Sequence, residues 1–554
     1  MQLTGAQILI EALVEQGVDT VFGYPGGFVL NIYDELYKNA DRITHYITCH
    51  EQGATHAADG YARATGKVGV VIATSGPGAT NLVTGIATAY LDSTPLVAIT
   101  GNVPSTSLGR DGFQEVDITG VTMPITKHNY IVKDVNKLAA TVREAFLIAR
   151  SGRPGPVLVD IPKDLQMARA EYEPAAPAAA SERPAIRQQD LGRAVQLIRE
   201  SERPFLYAGG GVVISNATDE LIELSKRLNA PIGSSIMGLT SVPQDYPLFL
   251  GMTGMHGKVA ASRAMYEADL IIGIGTRFSD RAIGNQKAFA QGRKVLHIDI
   301  DPAEVGKNLP AYASLIGDVK QVLQKLLEAD ISRRADGWLK RIRELQQDLD
   351  TRLDMGRDRL NPQLIIETVR EKAPEDVLVA TDVGQHQMWA AQYFKFNRPR
   401  TFITSGGLGT MGFGMGAAIG ACIGSGRKRT VLFTSDGSFH MNLNEMATAV
   451  TNRLPLTIIL LNNNALGMVR QWQKIFFDER YSQTTLNRKT DYAALAEAFG
   501  AKGMRLVELS ELGRVLDEAL SSDGPVLVDA RIDPDERVLP MIPPGGTIDD
   551  IILS

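Results

Sequence analysis

The sequence predicts an α/β protein made of three domains, each built on a doubly wound parallel sheet. Short runs of nearly continuous apolar character alternate with helical patterns along most of the 554 residues. Strands of that composition are typical of parallel sheets that are covered on both faces. The alternation is interrupted at two places, and a chain of this length has room for about three or four domains.

The two interruptions mark the predicted domain boundaries. Residues 171–188, EYEPAAPAAASERPAIRQ, are rich in Pro and Ala without a period, which indicates a linker. Residues 331–363 form a charged helical stretch that ends a middle unit. The predicted domains therefore cover residues 1–170, 190–340 and 360–535.

Within the domains, glycine-rich turns follow predicted strands. VGVVIAT (68–74) is a predicted strand, SGPGATN turns the chain, and a helical pattern runs to about Leu91 before the next strand, PLVAIT. The first and third domains share this plan of strand, Gly-rich turn and helix. Ligands of such sheets bind beyond the carboxyl ends of the strands, so candidate site residues are expected there.

Composition excludes several classes of function. The net charge is −6 and no cluster of Lys and Arg stands out, so a nucleic-acid surface is not expected. Two cysteines, Cys49 and Cys422, are too few for a disulfide framework or a zinc cluster; we expect both to be reduced and buried. The N-terminus lacks the features of a signal peptide. Residues 404–426 are uncharged, but nine of these 23 are glycine, so we predict a cytoplasmic protein without a membrane span.

Two strand ends in the third domain present oxygen ligands. TVLFTSDGSF places Asp436 at the end of a predicted strand, followed by Gly437, and LPLTIILLNNN ends the next strand at Asn462 and Asn463. A carboxylate and an amide oxygen suit a hard divalent ion such as Mg²⁺, which shares its ligands with phosphates. Gly437 allows backbone N–H groups to approach those phosphates at a helix start. An isolated Asp-Gly is usually just a turn; the pairing with Asn-Asn 27 residues on carries the hypothesis.

Glu51 is a carboxylate at a predicted helix start in the first domain. The helix reads EQGATHAADGYARATG from residue 51, and small side chains follow the acid. Small residues allow another part of the structure to pack closely against the helix. An acid that only caps a solvent-exposed helix would not need such close packing. We therefore expect another surface to pack against this helix beside Glu51.

The third-domain pattern resembles the thiamine-diphosphate motif, which begins Gly-Asp-Gly and ends Asn-Asn; here Ser435 stands at the first glycine. Along almost the whole chain the motifs resemble those of the acetohydroxyacid synthase (acetolactate synthase) family: VFGYPGG, HEQGATHAADGYARATG, ATSGPGATN, GRPGPVLVDIPKD, GGLGTMGFGMGAAIG, SDGSFHMNLNEMATA, LNNNALGMVRQWQ and MIPPGG. The combination of GLGTMG, GMVRQWQ and PMIPPG narrows the resemblance to the catalytic subunit of this synthase.

The resemblance implies a thiamine-diphosphate- and Mg²⁺-dependent enzyme whose central domain binds FAD. Pyruvate would lose carbon dioxide, and its remaining two-carbon unit would join a second pyruvate or 2-ketobutyrate in the first common step of branched-chain amino-acid biosynthesis. The family assembles active sites between two subunits of a homodimer or homotetramer, covers them with a tail matching residues 536–554, and often has a small regulatory subunit. The three domains would bind the pyrimidine, FAD and the diphosphate in that order.

The resemblance also implies roles for individual residues. Glu51 would hydrogen-bond the aminopyrimidine ring of the cofactor. Gln114, beside Phe113, would donate a hydrogen bond to the oxygen on which negative charge develops. Arg277 would fix the carboxylate of the second keto acid, and Trp472 would favour 2-ketobutyrate over pyruvate as that acid. Met411 would bend thiamine diphosphate. Three further positions match the active site without a defined role: Lys163, Met255 and Met468. Positions matching cofactor contacts are Pro25, Gly26, Gly384, Gln385, His386, Gln387, Gly409, Gly437 and Ser438 for thiamine diphosphate, Ala465 with Asp436 and Asn463 for the metal, and Arg153, Gly209, Gly211, Thr253, His256, Arg277 and Asp299 for FAD.

Several of these residues have ordinary structural alternatives. Met411 and Trp472 could be packing residues, and Arg277 could form a surface ion pair. The family usually has alanine and proline where this chain has Phe28 and Asn31, so the substrate entrance is expected to differ.

Three other functions stay open. They are a catabolic, flavin-independent acetolactate synthase; another thiamine-diphosphate carboligase or 2-keto acid decarboxylase; and a non-catalytic relative that only binds the cofactor. Trp472 and the central-domain glycines count against the first, and the intact set Glu51, Gln114, Asp436 and Asn463 counts against the last.

Overall fold

Three parallel six-stranded sheets organise the chain, one in each third of the sequence. The computed structural model describes residues 1–177, 186–332, 336–349 and 354–554. Most of the predicted linker, residues 178–185, lies outside the described residues, as do 333–335 and 350–353 in the charged stretch.

The first domain begins and ends with a small antiparallel ribbon beside its main sheet. Its strands are β1 (Gln2–Thr4), β2 (Thr20–Gly23), β3 (Thr44–Ile47), β4 (Gly69–Ala73), β5 (Leu96–Asn102), β6 (His128–Ile131), β7 (Pro156–Pro162) and β8 (Arg169–Glu171). Its helices are α1 (Gly5–Glu15), α2 (Leu30–Lys38), α3 (Glu51–Thr65), α4 (Pro77–Thr80), α5 (Val83–Leu91), α6 (Ile118–Thr122), α7 (Leu138–Arg150) and α8 (Lys163–Met167).

The central domain alternates strands and helices without a hairpin among its described strands. Its strands are β9 (Pro204–Ala208), β10 (Ile232–Ser234), β11 (Phe249–Met252), β12 (Leu270–Ile274), β13 (Lys294–Asp299) and β14 (Ala313–Ile316). Its helices are α9 (Gln188–Glu200), α10 (Gly210–Ile214), α11 (Thr218–Leu228), α12 (Val259–Glu267), α13 (Asp280–Ile283), α14 (Gln286–Ala290), α15 (Val319–Leu327) and α16 (Asp336–Leu349).

The third domain repeats the alternation and is followed by an irregular tail. Its strands are β15 (Leu378–Thr381), β16 (Phe402–Ile403), β17 (Thr430–Ser435), β18 (Leu456–Asn462), β19 (Lys502–Leu506) and β20 (Val526–Arg531). Its helices are α17 (Pro362–Lys372), α18 (Gln385–Tyr393), α19 (Phe413–Gly424), α20 (Asp436–Phe439), α21 (Met446–Thr451), α22 (Gly467–Phe476), α23 (Tyr492–Ala498) and α24 (Leu512–Ser521).

Strand order separates the central domain from the other two. The first sheet runs β3-β2-β4-β5-β7-β6 and the third runs β16-β15-β17-β18-β20-β19, which is the same order when the strands are counted from β2 and β15, the first strand of each sheet. The central sheet runs β11-β10-β9-β12-β13-β14, the order typical of dinucleotide-binding domains. The predicted fold class is confirmed, and so is the shared plan of the first and third domains.

The small residues after Glu51 pack against another helix of the same chain. Helix α3 lies along α19, and a Cβ on Gly420 would come within 2.6 Å of the Ala57 carbonyl carbon. A Cβ on Gly416 would come equally close to the Gly53 carbonyl oxygen. The surface that packs on this face of α3 is therefore α19 of the third domain in the same chain, and the closing of a second chain over Glu51 stays a prediction.

One prediction about the cysteines is wrong. Cys422 is buried within α19, but Cys49 is exposed, because it lies in the turn before α3, where the chain leaves edge strand β3. None of the helices in the described parts of the chain is both long and apolar enough to cross a bilayer. The glycine-rich stretch 404–426 instead supplies α19.

Candidate active site

Asp436 and Asn463 lie together where two neighbouring strands end. Strands β17 and β18 run parallel with Ser435 opposite Leu461, so the residues that follow them share one edge of the sheet. Asp436 is 1% exposed, and its Oδ1 atom has no hydrogen-bond partner. Burial raises the pKa of Asp436 to about 6. An unpartnered buried carboxylate oxygen beside an amide fits a hard cation.

The amide of Asn463 is tied to its surroundings. Its Nδ2 atom donates to Gln385 Oε1 at 3.3 Å, and its Oδ1 atom accepts the N–H of Ala465 at 3.1 Å. No three His, Cys, Asp or Glu side chains converge as a metal cage anywhere in the described ranges. A metal here would therefore combine few protein oxygens with ligands from a phosphate, as Mg²⁺ commonly does.

Helix α18 begins beside this pair. His386 is buried in its first turn, its Nε2 atom has no partner, and burial lowers its pKa to about 3, so the ring is neutral. Gln385 Nε2 donates to Gln471 Oε1 at 3.0 Å, and Gln387 Nε2 donates to Thr404 Oγ1 at 2.7 Å. The helix start and the free ring nitrogen are suited to an anion such as a diphosphate.

Two further predicted contacts border the same edge. Ser438 is fully buried and donates through Oγ to the Val383 carbonyl at 2.9 Å. A Cβ on Gly437 would lie 2.8 Å from Leu466 Cδ2, so a larger residue here would displace the end of that side chain. Gly409 has a left-handed φ of 68° and Met411 is half-buried just before α19. The structure therefore brings the predicted diphosphate and metal residues together in the third domain.

Glu51 opens α3 in the first domain, as predicted. His50 is the N-cap and its ring accepts the N–H of Gln52, so the helix starts at Glu51 itself. The Glu51 carboxylate is buried and its Oε2 atom accepts from Asn81 Nδ2 at 2.9 Å. A Cβ on Gly78 would lie 3.1 Å from Glu51 Oε1, so this glycine leaves space beside the carboxylate. Among the described residues, no hydrogen bond or ion pair joins Glu51 to the Asp436 site.

Gln114 has an unusual backbone conformation. Its φ of 61° is left-handed, which costs a non-glycine residue about 1–3 kcal/mol. Its carbonyl accepts Ser75 Oγ at 2.7 Å, and Gly76 leaves room for it. Strain of this kind clusters at functional sites. Its neighbour Phe113 is 83% exposed in the single chain.

The loop 24–28 and helix α8 form one wall of the first domain. Gly26 packs on Thr74, where a Cβ would lie 2.5 Å from Cγ2, and Pro25 precedes it half-buried. Lys163 Nζ lies 5.7 Å from the centre of the Phe28 ring. Two positions singled out in the sequence, Phe28 and Lys163, thus contact each other. Asn31 is close by in α2, and its Nδ2 atom is buried without a partner.

Trp472 and Met255 meet at a second arginine that the sequence did not single out. The Arg281 guanidinium lies 5.6 Å from the Trp472 ring centre, and its Nη1 atom lies 3.7 Å from Met255 Sδ. The Trp472 Nε1 atom is buried without a partner. Met468 precedes Trp472 by one turn of α22 and is half-buried.

The C-terminal tail crosses this region. Ile542 N–H donates to the Met255 carbonyl at 2.9 Å, and the Gln471 side chain bonds both the N–H and the carbonyl of Val538. A cavity of about 390 Å³ lies between the tail and the central domain, with Met255 and Arg281 in its wall. The tail therefore spans from α22 to the central domain beside Trp472.

Arg277 lies elsewhere. Burial and the neighbouring Arg153 lower the pKa of Arg277, and its acidic neighbours are Asp92, Glu304 and Asp299. Arg153 Nη1 in turn bonds Glu304 Oε1 at 2.8 Å. Phe278 separates the two arginines: its φ is 48° and its ring is buried against His297, so Arg277 and Arg281 belong to different environments.

The central sheet has a crevice suited to a dinucleotide. Strand order reverses between β9 and β12, and the chain after each strand is glycine-rich: Gly209 and Gly211 lie against Gly275. Dinucleotides bind outside such a reversal. Thr253 follows β11, and the Ser234 hydroxyl beside it is buried without a partner. Asp299 ends β13, and His256 Nδ1 lies 3.1 Å from the Pro540 carbonyl of the tail.

Comparison with known proteins places this geometry in a family. Three family models match: "Thiamine pyrophosphate enzyme, N-terminal TPP binding domain" at 3–121, "Thiamine pyrophosphate enzyme, central domain" at 191–326, and "Thiamine pyrophosphate enzyme, C-terminal TPP binding domain" at 382–530. The chain is 46% identical to "Acetolactate synthase isozyme 2 large subunit" of Escherichia coli, with 99% of each chain covered. The chain belongs to the acetolactate synthase large-subunit family.

Other members are similar over nearly the same span. "Probable acetolactate synthase large subunit" of Methanocaldococcus jannaschii is 45% identical, with 99% of this chain and 95% of the relative covered. "Acetolactate synthase large subunit" of Corynebacterium glutamicum is 43% identical, with 99% and 90% covered. The resemblance drawn from the motifs is thus confirmed, and the chain is a thiamine-diphosphate-dependent acetolactate synthase. The roles of individual residues remain predictions.

Proposed function

We propose that this chain condenses two 2-keto acids after decarboxylating the first. Two pyruvates would give 2-acetolactate, and pyruvate with 2-ketobutyrate would give 2-aceto-2-hydroxybutyrate. The observation that carries the proposal is the unpartnered, buried Oδ1 atom of Asp436 beside Asn463 at the diphosphate edge of the third sheet. It supports a bound metal and phosphate in a chain whose relatives are named acetolactate synthases.

The third domain would hold the diphosphate and Mg²⁺. Asp436 and Asn463 would supply oxygen ligands, Ala465 lies two residues on, and the start of α18 with His386 would bind the phosphates. When bound, thiamine diphosphate supplies a nucleophilic carbon that adds to a 2-keto carbonyl and accepts the electrons released as carbon dioxide leaves. The residues of the chain bind, orient and shield the reacting groups.

Glu51 would hold a proton that it shares with the aminopyrimidine ring nitrogen. Its carboxylate already accepts from Asn81, which orients it, and Gly78 places no side chain against Glu51 Oε1. A positioned carboxylate of this kind contributes about 10²–10⁴-fold as a general acid–base group. Tyr33 is near enough that the negative charge of Glu51 adds to burial in raising the pKa of the Tyr33 hydroxyl, so that hydroxyl stays neutral.

Gln114 and Arg281 would act on the second keto acid. The Gln114 side chain donates to the oxygen on which negative charge develops, and the strained backbone sets its direction. We propose Arg281, in place of Arg277, for the carboxylate of that acid, because Arg281 lies beside Trp472 and Met255. An arginine over the face of a tryptophan is held in place and keeps donors free for a planar carboxylate.

The central domain would bind FAD at the reversal between β9 and β12. Arg277 and Arg153 lie among acidic groups there, and the Gly209–Gly211 turn gives the close backbone approach that a pyrophosphate needs. FAD would have no redox part in the condensation. The relatives' designation "large subunit" supports a small partner subunit for this chain as well, and we propose a cytoplasmic homodimer or homotetramer.

Product identification tests the proposal. Purified protein is supplied with thiamine diphosphate, Mg²⁺, pyruvate and 2-ketobutyrate, with and without FAD, and the products are separated by mass spectrometry. We expect both acetohydroxy acids and a requirement for FAD. Acetolactate alone without a need for FAD would identify the catabolic type, acetaldehyde or acetoin alone a different carboligase or decarboxylase, and no carbon dioxide release a non-catalytic relative.

A further inference from the structure

A carboxylate from the third domain holds the turn that leads into Glu51. Glu445 is fully buried. Its Oε1 atom accepts the backbone N–H of Cys49 at 3.1 Å and of His50 at 3.0 Å. Its Oε2 atom accepts the Thr448 hydroxyl at 2.6 Å. A side chain 395 and 396 positions away in sequence therefore binds the two amides immediately before Glu51.

The first domain leaves a space for this side chain. A Cβ on Gly53 would lie 2.6 Å from the Glu445 carboxyl carbon, so only glycine at this position allows the contact. Two residues after His50, the Gln52 N–H is capped by the His50 ring and does not need Glu445. The cross-domain contact thus acts on the backbone N–H groups of residues 49 and 50, which set where α3 begins.

We propose that Glu445 is a positioning residue for Glu51. It fixes the turn of residues 48–50, and that turn fixes the direction in which the Glu51 carboxylate leaves the helix. Glu445 itself touches neither substrate nor cofactor. This inference rests on the proposed function, in which Glu51 works on the aminopyrimidine of thiamine diphosphate.

A second buried contact between the same two domains provides the control. The hydroxyls of Thr88, in α5, and Thr410 lie 2.7 Å apart. This hydrogen bond also joins the first and third domains, but it does not involve the turn before α3. Thr88→Val therefore weakens the domain contact generally, whereas Glu445→Ala weakens it at Glu51.

Amide exchange of the apoenzyme tests the structural half. Hydrogen–deuterium exchange with mass spectrometry is followed in peptides covering residues 48–53. Glu445→Ala should speed exchange there by about tenfold or more, because the N–H groups of Cys49 and His50 lose their acceptor. Glu445→Gln keeps one acceptor oxygen without the charge, so we expect a smaller rise of about threefold. Thr88→Val should leave these peptides unchanged. Wild-type exchange in Glu445→Ala would overturn the proposal.

Exchange of the cofactor's thiazolium C2 proton in the holoenzyme, without substrate, tests the functional half. We expect Glu445→Ala to slow it by about 30- to 100-fold, since a misplacement near 1 Å costs a catalytic group about 10²-fold. The rate in Thr88→Val should stay within about twofold. Faster amide exchange with an unchanged C2–H rate would mean that Glu445 only holds the domains together, and would overturn the proposal. If Glu445→Ala does not fold, Glu445→Gln decides by the same two readouts. Wild-type protein that exchanges C2–H but makes no acetolactate would refute the proposed function alone.

Discussion

The packing of α3 on α19 leaves no room for a methyl group at Gly420. A Cβ there would lie 2.6 Å from the Ala57 carbonyl carbon and 2.8 Å from its Cα. Ordinary contact begins near 3.4 Å, so the helices would have to separate by at least about 0.8 Å. The opposing atoms belong to the backbone and cannot rotate away. We therefore predict that Gly420→Ala is destabilising although alanine favours a helix.

The magnitude follows from two opposed effects. Overpacking costs about 1–3 kcal/mol, with the upper end expected against backbone, and alanine gains about 1 kcal/mol over glycine in a helix. The net loss of about 2 kcal/mol should lower the thermal midpoint by roughly 4–8 °C for domains of this size. Because α3 carries Glu51, the same displacement should reduce activity by about ten- to a hundredfold.

The assay is differential scanning calorimetry at one scan rate, with acetolactate formation measured on the same samples. Gly192→Ala is the matched control: Gly192 lies within α9 of the central domain, and a Cβ there meets nothing within 4 Å. That variant should gain about 0.5–1 kcal/mol and keep full activity. If Gly420→Ala behaves like Gly192→Ala, the close approach of α3 and α19 is not as described.

Three further predictions concern the surroundings of the site. Burial raises the pKa of Asp160, whose carboxyl group accepts a hydrogen bond from Thr100 Oγ1 at 2.6 Å, to about 7. The folded protein keeps the carboxyl proton up to about pH 7, whereas the unfolded chain loses it near 3.8. The stability that this group contributes therefore falls as pH rises from about 4 to 7, and melting curves of Asp160→Asn should lack that fall. Parallel pH curves for the two proteins would contradict this. Truncation after Asp535 removes the Glu536 carbonyl and Val538, which are hydrogen-bond partners of Gln385 and Gln471. It should lower turnover at least about tenfold, while the thermal midpoint shows that the domains are still folded. Unchanged turnover would show that the tail is not part of the site. Arg281→Gln should raise the KM for the second keto acid about tenfold or more, whereas Arg277→Gln should weaken FAD binding measured by flavin fluorescence; the reverse pattern would return Arg277 to the substrate.

Much of the fold was predictable because its signals are local. Strands such as β4 and β17 have an apolar centre and are followed by polar residues, and the structure has them within a residue or two of the predicted runs. The Asp436 and Asn463 pairing followed from two strand ends, since neighbouring parallel strands must finish at one edge. The family resemblance added the residues of the loops, where no periodicity exists to guide prediction.

The sequence gives little guide to contacts between residues far apart in the chain. Arg277 lies in the loop after β12 and Arg281 lies four residues on in α13, and the left-handed Phe278, buried against His297, separates their surroundings. The sole signal in the sequence was the second arginine of TRFSDR. The partner of the small face of α3 was unpredictable for the same reason, because α19 begins 362 residues after Glu51.

The pairing of α3 with α19 also explains why the predicted site divides into two groups within one chain. The two helices occupy equivalent places in sheets of the same strand order, and they run side by side: Gly53 meets Gly416, and Ala57 meets Gly420. Two like domains packed through equivalent helices present their other equivalent features on opposite flanks. Glu51 and Asp436 are therefore expected to work with the complementary residue of a second copy.

Complementation between two inactive variants tests that expectation. Glu51→Gln and Asp436→Asn should each fold and each lose activity by about 10²–10⁴-fold. If every site combines Glu51 of one copy with Asp436 of the other, a heterodimer of the two variants contains one doubly altered site and one intact site. Subunits mixed in equal amounts and allowed to reassort would then recover roughly a quarter of wild-type activity. Sites built within one chain have no such route, so a mixture as inactive as its components, with heterodimers verified by mass spectrometry, would refute a shared site.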